Sequence, residues 1–395
     1  MDPFERLPPE LIRLILLHIA DFASVQTILS ASPWVNSVFH TRPRTLILDL
    51  VASNPITAVP EIQKLFQGIA LIHSPFVHCA SLDDYLDMTR KNTPSDILSQ
   101  HLSETEQSQM VQIAARIQHL ACICLSTMQR NFVSALEASA TGPLSAAVSP
   151  QKASRPFSWI EEYRVYWALW HLHHYSDLRK AVEGQTGARD KTSRGCRWSW
   201  PANSIERLHA YPLWNGIRIF TVEIIWAVAA VLADLGFHPS YGHSEEQPQQ
   251  ESTRAAWSYP ESTPLPFFAS FELPRHIESN CSLFWCPPPA PEETRATVFW
   301  QLAPTYRKKL PGQIRLFRSY ARMFRQRSHS QSLGMLQIQP YRRFGAHLWD
   351  MWRMKSVGLC KTSSRISTPD GGILERSESN AIEIGSRWLA LIGEK

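Results

Sequence analysis

Residues 7–39, LPPELIRLILLHIADFASVQTILSASPWVNSVF, constrain the fold more than any other stretch, because they encode three short helices that cannot make a core alone. Pro8 or Pro9 opens the first helix, since proline is tolerated where backbone N–H groups lack an intrahelical partner. Glu10 then sits near the positive helix end. On a wheel of ~100° per residue, Leu11, Ile12, Leu14, Ile15, Leu16 and Ile19 span an arc of roughly 200°, with Arg13 opposite. That arc is too wide for one dry face. Either the helix is wrapped by its own chain, or part of its apolar surface waits for a partner. Asp21 or Ser24 caps a second helix carrying Val25, Ile28 and Leu29. Ser32-Pro33 breaks it before a third with Trp34, Val35 and Val38.

The rest of the 395 residues reads as mainly helical. Thr45–Val51 is an apolar run too short for periodicity to decide, taken as helix by association. Pro60–Gly68 is expected to be helical, Ser81 to cap a helix with acidic first-turn residues, and Thr93-Pro94 to offer another cap. The Ser103-x-x-Glu106 box precedes Met110, Ile113, Ala114, Ile117, Leu120, Ala121, Cys124 and Met128 at helical spacing, which predicts a long buried helix. Residues 157–182 carry aromatic residues on several sides, so a buried helix is expected there too. Ile217, Phe220, Ile224, Val228 and Leu232 form the stripe of another, with Gly236 as its C-terminal cap. The expected organisation is a module over 1–50, a helical region over 51–137, a linker at 138–156 and a Trp-rich helical body over 157–395. Flexible insertions are expected near 184–196, 238–266 and 361–380, the middle one disordered. No internal repeat of solenoid period is apparent.

A hydrophobic content of 44% with 14 Trp supports a packed core along most of the chain. The early apolar run carries Glu5, Glu10 and Arg13, unlike a secretory signal. The longest membrane candidate, Trp226–Leu232, is far short of the roughly 20 residues a span needs. Seven cysteines without repeating spacing suit a reduced compartment, hence cytoplasm or nucleus. Residues 1–150 hold 9 Lys+Arg against 13 Asp+Glu, and the remainder 31 against 22, so the basic character lies in the C-terminal part.

The pattern Leu7-Pro8-x-Glu10-Leu11-x3-Ile15-Leu16-x2-Ile19, followed by Ile28-Leu29 and Ser32, resembles the F-box. Ala31-Ser32-Pro33 matches a variant found in F-box-like proteins of filamentous fungi. Three later stretches are similar to the body of those proteins: Tyr163-Arg164-x-Tyr166-x-Ala168-Leu169-Trp170, Arg197-Trp198-x-Trp200 and Tyr211-x-x-Trp214-Asn215. The resemblance implies a three-helix module in which Leu7, Pro8, Leu11, Ile15, Leu16, Ile28 and Leu29 dock a Skp-type adaptor and, through it, a cullin. The body would then present a protein substrate for ubiquitination. The same residues also suit an ordinary amphipathic start to a globular domain.

Motifs for chemistry are sparse. A phosphate loop, a dinucleotide glycine fingerprint, a Gly-x-Ser-x-Gly elbow and kinase signatures are absent, and no enzymatic activity or cofactor is expected. His171-x-His173-His174 lacks a completing ligand motif and reads as ordinary surface or hydrogen-bonded histidines rather than a metal site. Cys122-x-Cys124 sends its sulfurs to different sides of a helix and reads as core. Over 313–327, Arg315, Arg318, Arg322 and Arg325 share one face beside Ile314, Phe317, Ala321 and Phe324. That basic amphipathic helix suits a solvated face, an acidic protein segment or nucleic-acid phosphates, the last being the weaker reading.

Overall fold

A computed structural model describes residues 2–92 (Ala20 excepted), 96–97, 102–139, 149–183, 198–240 (Arg218 excepted), 265–273, 342–359 (346, 347 and 350 excepted), 366–367 and 373–374. The described residues are mainly α-helical. Proline stands in the first turn of α1 (Pro9–His18), α3 (Pro33–Thr41), α4 (Pro43–Ser53) and α5 (Pro60–His73). Side-chain caps start others. Asp21 accepts the Ser24 N–H at the head of α2 (Phe22–Ala31), Ser32 that of Val35 at α3, and Ser81 that of Asp84 at α6 (Leu82–Lys91). Residues 45–51 are thus helical within α4, and the signal for its start is Pro43.

The 36-residue α7 (Glu104–Ser139) opens at the expected Ser103–Glu106 pair, of which the Glu half is made: Ser103 N–H donates to Glu106 Oε2 at 2.9 Å. After the short α8 (Pro150–Ala153), Ser158 N–H donates to Glu161 Oε2 at 3.0 Å at the head of α9 (Trp159–Glu183). Next come α10 (Ala202–His209), α11 (Tyr211–Trp214) and α12 (Ile219–Asp234). Beyond α12, Gly236 at φ 90° lets Phe237 N–H reach Leu232 O (3.0 Å) and its own N–H reach Ala233 O (3.0 Å), a Schellman closure. Strands β1 (Pro239–Ser240) and β2 (Phe267–Phe268) pair antiparallel, as do β3 (Ile366–Ser367) and β4 (Ile373–Leu374), with α13 (Met351–Ser356) between the pairs.

Helix α9 is the axis of the body. Almost every residue from Trp159 to Val182 is buried, because α5, α7, α12 and β2 cover it from different directions. The N-terminal helices attach through α2 and α4 to α7. One hydrophobic core therefore runs from Ile12 through α7 and α9 to Leu359.

Of three segments expected from composition to be linker or insertion, only parts are among the described residues. At 138–156 the helix continues to Ser139, Ala153 is fully buried, and elements on both sides share that core. Near 238–266 the ends are held: Pro239 pairs with Phe268 and Leu265 is fully buried. Inside 361–380 lies the β3–β4 pair. Thr93-Pro94 and 184–196 lie outside the described residues.

Candidate functional site

Helix α1 meets α3 and α4 with one side only. Ile12 and Leu16 are each 1% exposed against the core, whereas Leu11 (47%), Leu14 (50%) and Ile15 (37%) stand in solvent. Positions i, i+3 and i+4 are neighbours on a helix surface, so the three exposed residues form one stripe. Large exposed apolar side chains are otherwise rare among the described residues, Phe76 being another. The expected docking set thus divides. Pro8, Leu11 and Ile15 are exposed, and Leu7 and Ile28 half-buried. Leu16 and Leu29 (8%), also expected in the docking set, are buried in the chain's own core. Leu14 joins the exposed stripe; its place in the wide apolar arc was the available signal.

The platform beneath the stripe is braced. Ser32 Oγ–H donates to Asp2 Oδ2 (2.5 Å), which also accepts the Trp34 N–H (3.1 Å). The Ser32 hydroxyl holds the Asp2 carboxyl below its usual range. Trp34 Nε1–H donates to Leu7 O at 3.3 Å, and Arg13 to Thr41 Oγ1 at 2.8 Å. The face is therefore held as a rigid three-helix surface rather than a frayed end.

The three histidines of α9 lie deep in the body, each hydrogen-bonded or ion-paired, rather than on the surface. His174 Nε2 lies 2.5 Å from the Tyr85 hydroxyl of α6, and its Nδ1 lies 2.7 Å from the Tyr211 hydroxyl of α11. That hydroxyl also lies 2.9 Å from His171 Nδ1. His171 Nε2 then faces Glu61 Oε1 of α5 across 4.0 Å, while Trp167 Nε1–H donates to the same oxygen at 2.9 Å. Gly68 of α5 makes room for this arrangement: a Cβ there would lie 2.5 Å from Tyr85 Oη and 2.7 Å from His174 Nε2.

Counting donors orients the chain. If Tyr85 donates to His174 Nε2, then His174 Nδ1–H donates to Tyr211, Tyr211 donates to His171 Nδ1, and the His171 Nε2–H points at the Glu61 carboxylate. Asn215 adds a donation to that Nδ1 at 3.4 Å. The reverse order would aim a lone pair at the carboxylate, so the first is favoured.

Burial shapes the electrostatics. It pulls His174 down to about 4 and His171 well below the usual histidine range, and it raises Glu61, Tyr85 and Tyr211. Next to them, Asp177 bridges His73 Nε2 (2.9 Å), His173 Nδ1 (2.9 Å) and Lys180 Nζ (3.2 Å). Burial opposes its charge, yet these neighbours outweigh burial and hold its carboxyl well below the ordinary value.

Among the described residues no group of three or more His, Cys, Asp or Glu side chains is arranged to hold a metal ion. Cys122 and Cys124 are buried and in no disulfide, and burial pushes the Cys124 thiol up. No described helix is long and apolar enough to cross a membrane. Arg315, Arg318, Arg322 and Arg325 lie outside the described residues. Comparison of the chain with protein-family models, curated proteins and solved structures finds no match.

Proposed function

We propose that this chain is an F-box-like substrate receptor: its α1 surface docks a Skp-type adaptor and through it a cullin, and its helical body holds a target protein. The observation that carries the reading is the uncovered stripe of Leu11, Leu14 and Ile15 on a braced helix whose other side is packed. Contiguous exposed apolar side chains on a folded surface are characteristic of protein interfaces. Such a receptor acts in the cytoplasm or nucleus by raising the effective concentration of a substrate near the ubiquitin-transfer machinery. It supplies position rather than bond-making groups.

The test is a binding titration of the full chain against purified Skp-type adaptor, beside a Leu11→Asp, Ile15→Asp double variant. Both sites are partly exposed, so the variant keeps its helical circular dichroism. Completing the burial of each residue is worth about 1 kcal/mol, so loss of both weakens binding by at least roughly 30-fold. No binding by the native chain, or equal binding by the folded variant, rejects the proposal.

A further inference from the structure

The hydrogen-bonded chain through α9 joins parts of the fold that sequence keeps far apart: Tyr85 on α6, His174 and His171 on α9, and Tyr211 on α11, while Glu61 on α5, itself hydrogen-bonded to Trp167 of α9, faces the end of the chain. Both imidazoles are sealed, His171 at 1% and His174 at 4% exposure. The geometry works with neutral rings. In the favoured order His174 accepts at Nε2 and His171 at Nδ1, and a protonated ring accepts at neither nitrogen. Among the described residues, His174 Nε2 is the hydrogen-bond partner of the Tyr85 hydroxyl, so a proton placed there makes that hydroxyl turn to accept and takes from its own hydrogen the acceptor it had in the core.

The charged and titratable surroundings offer little relief. From α5, Glu61 faces His171 at 4.0 Å and has Lys64 beside it. Burial raises the Glu61 carboxyl, so acid removes that counter-charge rather than strengthening it. From α6 comes Tyr85, with Cys79 nearby, and from α11 Tyr211. On α9 itself Asp177 is the nearest carboxylate to His174, and it is already engaged by His173, Lys180 and the α5 residue His73.

We propose that this buried histidine–tyrosine chain is an acid-released latch: it clamps α5 and α6 onto α9 and α11 while both rings are neutral, and gives way when protons reach them. The rings take up protons in the opened form at the ordinary histidine value and resist them in the closed form. Opening is therefore disfavoured above about pH 6.5 and grows as the pH falls below it. With two such rings the opening equilibrium rises roughly 100-fold between pH 7.5 and 5.5, about tenfold for each ring.

Amide hydrogen exchange of the full chain at the two pH values, corrected for the intrinsic exchange rate, reads this directly on peptides from α5, α6 and α9. His174→Gln retains a donor and an acceptor but cannot take up a proton, so its rise is expected to shrink to about tenfold. Nitrogen-15 NMR of the histidine rings in the native chain at pH 5.5 is the companion measurement and needs no variant. Neutral-ring shifts for His171 and His174 support the latch. Opening that does not change with pH, or imidazolium shifts for these rings in the closed chain, overturns it.

Discussion

Replacing Arg353 by leucine tests how the segment 342–359 is held to the body. The Arg353 guanidinium is buried and uses every donor it has. Nε and NH2 each donate to Glu161 at 2.8 Å, NH1 to the carbonyls of Ala153 (2.6 Å) and Arg155 (3.0 Å), and NH2 also to Pro156 O (2.9 Å). The cation further sits 5.1 Å from the Trp349 ring and 5.6 Å from that of Phe157. Two of the three carbonyls keep a donor in the variant, because Gln129 Nε2–H reaches Ala153 O and Arg155 O, each at 2.9 Å. The main cost is the Glu161 carboxylate, fully buried and left without its cation. Removing one partner of such a pair costs about 3–5 kcal/mol, and about 4 kcal/mol is expected here. An Arg353→Leu, Glu161→Leu chain removes both charges and should cost less than the sum of the single variants by at least roughly 2 kcal/mol. Urea unfolding followed by circular dichroism at pH 7.5 measures all three. A single-variant cost below about 1 kcal/mol, or strict additivity in the double variant, would refute the reasoning.

Two further outcomes follow from the centre of the body. Gly68→Ala drives a methyl into the Tyr85–His174 contact and is expected to destabilise by about 1–3 kcal/mol, seen as a lower urea midpoint, while Gly216→Ala, where a Cβ meets open space but φ is +69°, probes backbone strain without crowding. Burial holds the Tyr85 and Tyr211 phenols above their ordinary value of 10, so neither ionises in the native chain as the pH passes 10. Stability is then intact below pH 10 and is lost as the pH rises beyond it, because the unfolded chain ionises first. An absorbance titration of tyrosinate, compared with Tyr85→Phe and Tyr211→Phe, measures this; native ionisation of either phenol near pH 10 would contradict it.

Much of the helical framework was legible because its signals are local. A side-chain oxygen at Asp21, Ser32 or Ser81 satisfies a backbone N–H within the next three residues, the Glu106 carboxylate reaches back to the Ser103 N–H, and Gly236 ends α12 through its own backbone freedom. The aromatic distribution over 157–182 likewise announced a helix enclosed on all sides, and α9 is that helix. The hold that Gln129 and Arg353 take on the Ala153 carbonyl was not legible, because composition reports solubility rather than contact.

For the candidate site, the residue order of α1 by itself determined the width of the apolar arc, a property of helical periodicity alone. Which half of that arc stays uncovered was decided by packing: α3 and α4 close over Ile12 and Leu16 and leave Leu11, Leu14 and Ile15 in solvent. The histidines of α9 were visible as residues but not as a chain. Their partners Tyr85 and Tyr211 lie 89 and 37 positions from His174, beyond any local repeat. Only the docking of α5, α6 and α11 onto α9 brings them within hydrogen-bond reach, because such bonds act over about 3 Å and carry no trace along the chain of what will arrive across it.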